Sequence, residues 1–268
     1  MSDNKPLEDY LCAIPARTSE YPLNADLQTA KTAFFTEIGI GKANYVYNFT
    51  WLGLPVLQIP QDLQALQEMI WELKPDLIIE TGIAWGGSLM FSASMLALLE
   101  ACNEVEEGRV IGIDLDIRSH NRRSISNHPL SKKITMIEGS SIAPEVVSQV
   151  KNLAQEYQRV MVCLDSNHTH DHVLAELEAY APLIAEGGYC MVGDTVIDDA
   201  PLEMTSDRPW GPGNSPKSAV LAYLKKLEQE VVLASDGKPL KLEIAEDIEN
   251  KIVLTGSPSG YLRRSPTK

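Results

Sequence analysis

The residues best suited to bind a ligand lie in one stretch, LIIETGIAWGGS, from Leu77 to Ser88. Its apolar start predicts a short buried strand that ends at Glu80. Gly82, Gly86 and Gly87 then allow a tight turn close to a ligand. A carboxylate at a strand end repels phosphate and favours a ligand with hydroxyl or cationic groups. S-adenosylmethionine (SAM) carries a ribose, an ammonium and a sulfonium, so the stretch predicts a SAM site.

Two alternatives to a SAM site start from the same glycines. A dinucleotide site requires G-x-G-x-x-G without a carboxylate among the glycines, and Gly82 has no glycine two residues later. A glycine-rich turn between a strand and a helix in an unrelated α/β protein remains open on this stretch alone.

Polar residues also follow the next two predicted strands. Asp114 closes the run RVIGID, where a carboxylate can accept both hydroxyls of a ribose; the alternative is a solvated aspartate in a turn. Ser140 and Ser141 follow the run ITMIEG. These serines are candidates to contact an adenine edge or to cap the next helix.

The fourth predicted strand ends in CLDSNHTHDHV, with Asp165 at its tip followed by His168, His170 and His172. The zinc hydrolase box H-x-H-x-D-H is one residue longer, and no histidine follows His172 to complete such a site. An iron site of two histidines and one carboxylate stays open, although that triad normally occurs on a β-barrel. More simply, His170 and His172 open the next helix, with Asp171 as its N-cap.

Asp194 ends the fifth predicted strand, CMVGD. Because neighbouring parallel strands end at the same edge of a sheet, Asp165 and Asp194 are expected to lie close together. Such a pair suits Mg²⁺ completed by water and substrate oxygens. The alternative is two unrelated loop aspartates.

Composition limits the classes of function. The chain has 268 residues, a length typical of one large α/β domain with extensions, and 44% of them are hydrophobic. A net charge of −14 argues against binding to nucleic acid or to anionic membranes. No signal peptide or membrane-length apolar run is recognised. Cys163 and Cys190 lie in apolar runs and are interpreted as reduced core thiols, which predicts a cytoplasmic protein.

The segments before the glycine stretch are predicted to be mostly helical or irregular. Residues 1–20 are predicted to be irregular, Asn24–Thr36 a helix, and the proline-punctuated Tyr45–Pro60 a loop. Asp62–Leu73 has helical periodicity. Residues 1–74 are thus expected to form an extension that contributes to the substrate pocket.

Strands and helices alternate after residue 75, which predicts a mostly parallel, doubly wound sheet. The predicted strands are Leu77–Glu80, Arg109–Asp114, Ile134–Glu138, Val160–Asp165 and Gly188–Asp194. The predicted helices are Gly87–Cys102, Pro144–Leu153, Asp171–Ile184 and Pro216–Glu228, the last with Ser215 as N-cap.

The C-terminal part is predicted to complete this domain, residues 75–268. Lys241–Ala245 and Lys251–Thr255 are expected to pair as an antiparallel hairpin, which closes the sheet as in Rossmann-like class I SAM-dependent methyltransferases. The long loop Thr195–Ser215 contains Trp210 and is expected to act as a lid. Trp51 and Trp85 are candidates for pocket lining or for core packing.

Taken in order, seven motifs resemble the cephalosporin hydroxylase family: NFTWLGLPVLQIPQD, ETGIAWGGS, GIDLDIRSHNR, IEGSS, LDSNHTHDHVLAEL, VGDT and RPWGPGNSP. The resemblance runs from about Tyr45 to Leu224. The chain is also similar, more distantly, to catechol and macrolide-sugar O-methyltransferases. The family contains SAM- and metal-dependent O-methyltransferases, including rhamnosyl O-methyltransferases. The resemblance therefore implies the class I methyltransferase fold, SAM as the cofactor and a divalent cation such as Mg²⁺.

The resemblance also implies roles for individual residues: Glu80, Gly82 and Ser88 at the methionine end of SAM, Asp114 at the ribose, Ser140 at the adenine, Asp165 and Asp194 as metal ligands, and His168 as general base. The resemblance also implies a catalytic and a cofactor-binding role for Asp165. One departure is Gly193, because many relatives have a second carboxylate directly before the aspartate of the fifth strand.

These observations predict a SAM-dependent, divalent-metal-assisted O-methyltransferase. The expected acceptor is a hydroxyl of a rhamnose-like sugar, a polyketide, a phenol or another small molecule of natural-product biosynthesis. The alternatives are a non-haem iron hydroxylase of the same family and a catalytically silent SAM-binding protein. A homo-oligomer is expected on general grounds.

Overall fold

The computed structural model describes residues 5–38 and 43–266, without the side chains of residues 203 and 204. The strands are β1 (Phe49–Trp51), β2 (Leu54–Val56), β3 (Leu77–Thr81), β4 (Arg109–Asp114), β5 (Ile134–Glu138), β6 (Val160–Leu164), β7 (Tyr189–Val192), β8 (Leu242–Ile244) and β9 (Tyr261–Arg264). The helices are α1 (Lys5–Thr18), α2 (Ala25–Ile38), α3 (Pro60–Leu73), α4 (Gly87–Ala101), α5 (Ser119–Ser126), α6 (Pro144–Ala154), α7 (His170–Tyr180), α8 (Leu202–Thr205), α9 (Pro216–Gln229) and α10 (Glu246–Ile252).

Seven strands form one sheet in the order β5-β4-β3-β6-β7-β9-β8. The five from β3 to β7 are parallel, and β9 is antiparallel to both β7 and β8. This confirms the predicted α/β class with a mostly parallel sheet closed by antiparallel strands. The ends of β3, β4, β6 and β7 therefore meet at one edge, where ligands bind in such sheets.

The central strand β3 is buried on both faces, which explains its uninterrupted apolar run. Ile79 packs into the apolar cluster on one face of the sheet, and Ile78 packs into the cluster on the other. These two layers hold the edge that carries the candidate site.

Two predictions for the N-terminal part are wrong. Instead of an irregular segment over residues 1–20, Lys5–Thr18 is a helix. The expected loop Tyr45–Pro60 contains the hairpin of β1 and β2. Leu52 and Gly53 connect these strands with φ values of 47° and 91°, and two positive φ values are typical of a two-residue hairpin turn.

The predicted closing hairpin is wrong in its second strand. Lys251–Thr255 does not pair with β8; Tyr261–Arg264 does so instead. Residues 246–252 form α10, because three acidic residues in its first turn favour a helix N-terminus. Tyr261 and Leu262 are fully buried, so the apolar pair that the sheet needs lies later in the chain than expected.

Several local predictions can be compared with the helix ends. Ser215 caps α9 with a capping box, as expected. Thr169, rather than Asp171, is the N-cap of α7, since the helix already begins at His170. The sequence analysis missed α5.

Cys163 and Cys190 are buried and unpaired. Within residues 5–38 and 43–266, no helix is long and apolar enough to cross a membrane.

Candidate active site

A cavity of about 350 Å³ opens at the carboxyl ends of the parallel strands. Its walls come from the glycine turn after β3, the ends of β4, β6 and β7, the segment before α3 and the loop before β9. The side chains and glycines that line this cavity include Val46, Tyr47, Leu57, Gln58, Asp62, Gly82, Trp85, Ser88, Asp114, Asp165, Ser166, His168, Gly193, Asp194, Gly256 and Ser257. Among the residues that the structure describes, no lysine or arginine lines this cavity.

Gly82 allows the glycine turn to lie directly against the tip of β6. Its φ is +88°, and a Cβ atom at this position would lie 2.0 Å from the carbonyl oxygen of Asp165. The Asp165 amide in turn donates to the Thr81 carbonyl at 2.9 Å. The glycine therefore determines where the Asp165 backbone lies.

Gly82→Ala is expected to lower the free energy of unfolding by more than about 3 kcal/mol, since it adds a backbone clash to the cost of a positive φ. Gly53→Ala is the matched control, because Gly53 has a φ of +91° and a Cβ atom there would meet nothing within 4 Å. The control should lose only about 1 kcal/mol. Urea unfolding of both variants measures the difference, and equal losses would contradict the close approach to Asp165.

Asp114 holds the same turn from the end of β4. One of its oxygens accepts hydrogen bonds from the amides of Ile83 and Ala84, at 2.8 and 3.2 Å. The Asp114 carboxylate thus connects the end of β4 to the glycine turn. It lines the cavity, as does Ser88.

Glu80 lies behind the cavity wall, in a smaller adjoining space that Ser88 and Gln58 also line. The Glu80 side chain is buried and accepts a hydrogen bond from Ser92. Burial raises the pKa of Glu80 above its ordinary value, and hydrogen bonds from Ser92 and Ser88 oppose this rise. The Oε1 atom of Gln58 is buried without a hydrogen-bond partner at the same place. This space therefore presents two acceptors that suit a ligand carrying donors.

Asp165, His168 and Asp194 come together at the other wall. Their ligand atoms all lie within 4.8 Å of one another. Burial raises the pKa of Asp165 well above its ordinary value, and the charge of Asp194 raises it further. Asp194 follows β7 with a φ of 54°, a conformation that aspartate tolerates better than most residues. The described part of the cavity has no cationic side chain, so the two carboxylates fit a divalent cation, and the adjacent imidazole can accept a proton.

The three neighbouring histidines have separate environments. The His168 Nε2 atom lies 3.4 Å from an Asp194 oxygen. The Trp210 ring contacts the His168 ring edge-to-face, with 5.0 Å between the ring centroids. His170 Nδ1 instead lies 2.8 Å from the Ser218 hydroxyl. Of the three, only His168 lines the cavity.

His172 belongs to a buried polar cluster beneath the cavity. Its Nε2 atom lies 3.0 Å from the Ser141 hydroxyl and 3.5 Å from Glu176. The hydroxyls of Ser141 and Ser166 both donate to the fully buried Glu176. Ser141 therefore has a structural role, whereas its neighbour Ser140 does not line the cavity.

Of the two tryptophans that were candidates for the pocket, one lines the cavity and the other packs beside it. Trp85 lines the cavity and is 43% exposed. Trp51 packs against Phe91 and donates from its indole nitrogen to Ser94 at 2.9 Å, so it does not line the pocket.

The segment Thr195–Ser215, predicted as a loop, contains the short helix α8 and is held by polar contacts. Asp198 accepts hydrogen bonds from the Gly213 amide at 2.8 Å and from the Ser215 hydroxyl at 2.6 Å. The Asn214 side chain accepts from the His170 amide at 2.9 Å. These contacts place the Trp210 segment beside His168.

Asp62 is a cavity residue that the sequence analysis missed. It is 4% exposed and accepts hydrogen bonds from the Tyr261 hydroxyl at 2.7 Å and the Gly256 amide at 3.0 Å. Burial raises its pKa to about 6 against these hydrogen bonds. Asp62 therefore joins the first turn of α3 to β9 and to the loop before β9, and this loop lines the cavity together with Asp62.

Asp62 predicts a pH effect on stability. Since its folded pKa is about 6 and its ordinary value is 3.8, the stability from its proton is complete below pH 3.8 and is lost as the pH rises through 6. Asp62→Asn removes this dependence. Between pH 5 and 7 the wild-type protein should therefore lose about 1 kcal/mol more than the variant in urea unfolding. Parallel pH profiles would contradict this role.

The chain is similar to several known proteins. Rhamnosyl O-methyltransferase from Mycobacterium tuberculosis is 28% identical over 220 residues, covering 81% of this chain and 78% of the relative. The Mycobacterium leprae protein of the same name is 32% identical over 161 residues, covering 59% and 66%. A solved structure of CmcI with Mg and SAM has a TM-score of 0.51 at 19% identity, covering 82% and 78%, which shows a shared fold. Residues 43–265 match the family described as Rhamnosyl O-methyltransferase/CmcI, and the chain belongs to that family.

Proposed function

We propose that this protein is a SAM-dependent, divalent-metal-assisted O-methyltransferase that acts on a sugar hydroxyl. The observation that carries the proposal is the meeting of Asp165, His168 and Asp194 beside the glycine turn, in one cavity. Family membership and the rhamnosyl O-methyltransferase relatives support a rhamnose-like acceptor.

The residues around the glycine turn would hold SAM. Asp114 would accept the ribose hydroxyls, while Gly82, Ser88 and Glu80 would lie at the methionine end. The contact of Ser140 with the adenine stays a prediction from the resemblance, since Ser140 does not line the cavity. SAM supplies an activated methyl group, because its sulfonium sulfur leaves as a neutral thioether. The protein must then bring the acceptor oxygen into line, and orientation of this kind supplies several kcal/mol.

Asp165 and Asp194 would hold a divalent cation. A bound divalent cation supplies positive charge that lowers the pKa of the acceptor hydroxyl. His168 would accept the hydroxyl proton, since an imidazole nitrogen beside the acceptor oxygen can act as a general base. The T-shaped contact with Trp210 would hold the His168 ring towards the cavity.

Gly193 changes how this cation site is built. A Cβ atom at position 193 would lie 2.7 Å from Oδ1 of Asp165. The Asp165 carboxylate therefore occupies the space above Gly193 that a side chain at position 193 would fill. Water or acceptor oxygens would complete the coordination.

Gly193→Ala is expected to weaken Mg²⁺ affinity about tenfold or more, because the new methyl group displaces the Asp165 carboxylate. Calorimetric titration with MgCl₂ measures the change. Gly256→Ala is the control from the same cavity. Its Cβ atom would lie 3.3 Å from an Asp62 oxygen, a tight contact that a side-chain shift of a few tenths of an ångström relieves. Unchanged affinity in Gly193→Ala would show that Asp165 does not depend on this space.

The proposed function is tested by calorimetric titration with SAM and with S-adenosylhomocysteine, each with and without Mg²⁺. Micromolar binding is expected, with a change in affinity or enthalpy when Mg²⁺ is present. Transfer of a labelled methyl group to rhamnosides then tests the reaction. Failure of both ligands to bind would overturn the proposal, and oxygen consumption with Fe²⁺ would favour an iron hydroxylase.

The organisation around the site extends the proposal. Residues 1–74 would form a wall of the acceptor pocket, because Tyr47, Leu57 and Asp62 line the cavity. The loop Thr195–Ser215 would act as a lid over the acceptor. A cytoplasmic homo-oligomer remains a prediction.

A further inference from the structure

A buried carboxylate lies beneath the chain segment that carries His168. Glu176 belongs to α7 and is fully buried, and its Oε1 atom accepts hydrogen bonds from the hydroxyls of Ser141 at 2.5 Å and Ser166 at 2.6 Å. The His172 Nε2 atom lies 3.5 Å from the same oxygen. The other oxygen, Oε2, is buried and has no hydrogen-bond partner among the described residues. The carboxylate therefore depends on its two serine donors.

The two serines come from different elements. Ser141 follows β5, is buried and does not line the cavity. Ser166 belongs to the β6–α7 connection, residues 165–169, and its neighbour Asp165 precedes it directly; both line the cavity. The Ser166 hydroxyl therefore ties this connection to a side chain ten positions later, on α7.

The β6–α7 connection is held separately at its first residue. The Asp165 amide donates to the Thr81 carbonyl at 2.9 Å, and Gly82 leaves room for the Asp165 carbonyl beside it. These backbone contacts hold the proposed cation ligand from β3. The hydrogen bond to α7 therefore fixes the part of the connection that comes after this aspartate, where His168 lies.

We propose that Glu176 is a positioning residue for methyl transfer. Through the Ser166 hydroxyl it fixes residues 166–169, and so keeps the His168 imidazole within reach of the acceptor oxygen. A general base must lie within hydrogen-bond reach of the proton that it takes, and a misplacement of about 1 Å can cost about a hundredfold in rate. The inference rests on the proposed function, in which His168 is the general base.

The first test compares Ser166→Ala with its matched control, Ser141→Ala. Both variants remove a hydroxyl that donates to the same Glu176 oxygen and lies near His172 Nε2, at 3.4 Å for Ser166 and 3.0 Å for Ser141. In Ser166→Ala, kcat for methyl transfer to a rhamnoside should fall at least about tenfold. Its affinities for Mg²⁺ and S-adenosylhomocysteine should stay within about twofold of the wild type, because β3 still holds Asp165.

The control variant separates this effect from a loss of stability. Ser141→Ala should keep the wild-type kcat. It should lower the urea midpoint of unfolding at least as much as Ser166→Ala does, because Ser141 is buried and Ser166 is exposed. A purely structural role of the cluster predicts the reverse order, with the larger loss of kcat in the less stable variant.

A double variant shows whether the effect acts through His168. Ser166→Ala should slow turnover in the wild-type background and have less than about a twofold effect in the His168→Ala background. A general loosening of the fold would slow turnover by the same factor in both backgrounds.

Two variants of Glu176 test the acceptor itself. Glu176→Gln keeps an oxygen that can accept from Ser166, so its kcat should stay within about threefold of the wild type. Glu176→Met keeps an unbranched side chain without that acceptor, and its kcat should fall at least about tenfold. If Glu176→Met fails to fold, the comparison of the two serine variants still decides.

Hydrogen exchange gives a second readout that needs no activity. The Thr169 amide donates to the Asn167 side chain at 2.9 Å, so its protection reports whether the connection keeps its conformation. Exchange of a peptide that covers residues 166–170 should be at least about fivefold faster in Ser166→Ala than in the wild type. Ser141→Ala should leave this exchange unchanged.

Three results would overturn the inference: a kcat of Ser166→Ala within twofold of the wild type, an equal loss of kcat in Ser141→Ala, or an equal effect of Ser166→Ala with and without His168. Failure of the proposed function is distinguishable, because it appears in the wild-type protein as absent S-adenosylhomocysteine binding or absent methyl transfer. Faster exchange at residues 166–170 in Ser166→Ala alone would support the fixed connection even then, and equal exchange in both serine variants would contradict it.

Discussion

Replacing Asp165 with asparagine is expected to lower methyl transfer about a thousandfold, equivalent to ~4 kcal/mol of transition-state stabilisation. Asp165 lies within 4.8 Å of both Asp194 and His168, so its loss leaves Asp194 as the single proposed ligand of the cation. Mg²⁺ affinity measured by calorimetry should fall in parallel, whereas SAM affinity without metal should change little.

The same substitution should have the opposite effect on stability. Because burial and the charge of Asp194 raise the pKa of Asp165, the charged side chain is unfavourable in the metal-free fold. Asp165→Asn should therefore raise the free energy of unfolding of the metal-free protein by roughly 1 kcal/mol. The stabilisation that Mg²⁺ gives the wild-type protein should disappear.

Asp171→Asn is the control for Asp165→Asn, since Asp171 is exposed in the first turn of α7 and does not line the cavity. It should retain wild-type turnover and Mg²⁺ affinity. Turnover of Asp165→Asn within tenfold of the wild type would contradict a metal-assisted mechanism at this position.

His168→Ala is expected to lower turnover about a hundred- to ten-thousandfold, the range that a general base contributes. SAM affinity should stay within about threefold, because the residues assigned to SAM lie at the glycine turn. Methyl transfer under single-turnover conditions and calorimetric titration with SAM check the two expectations.

His170→Ala separates the base from a structural histidine. His170 lies 2.8 Å from Ser218 and joins α7 to the N-terminus of α9, so its loss should lower stability by about 1 kcal/mol. The pH profile of turnover should remain that of the wild type. If His170→Ala lost activity and His168→Ala kept it, the assignment of the base would be wrong.

Local patterns explain why much of the sheet was predictable. The apolar runs of β3, β6 and β7 are strands buried on both faces, and the spacing of Gly82, Gly86 and Gly87 is a property of one turn. Each polar residue that follows such a run must reach the same edge, because the strands are parallel. The meeting of Asp165 and Asp194 was therefore expected from the order of elements alone.

The hairpin β1/β2 and the strand β9 were not predictable in this way. Gly87 allows the carbonyl of Pro55 to approach its α-carbon, since a Cβ atom there would lie 2.2 Å from that oxygen. This contact joins distant segments and leaves no periodic pattern in either. Similarly, Tyr261 enters the sheet because it buries its ring and bonds Asp62, 199 positions away.

The sequence by itself determined the α/β class, the glycine turn and the edge at which Asp114, Asp165 and Asp194 collect, because these follow from short-range periodicity and strand direction. The tertiary structure alone decided which histidine lines the cavity and that Asp62 joins its two walls. It also showed that Asp165 occupies the space above Gly193. The physical reason is that side-chain contacts between distant segments depend on packing, which local propensity does not encode.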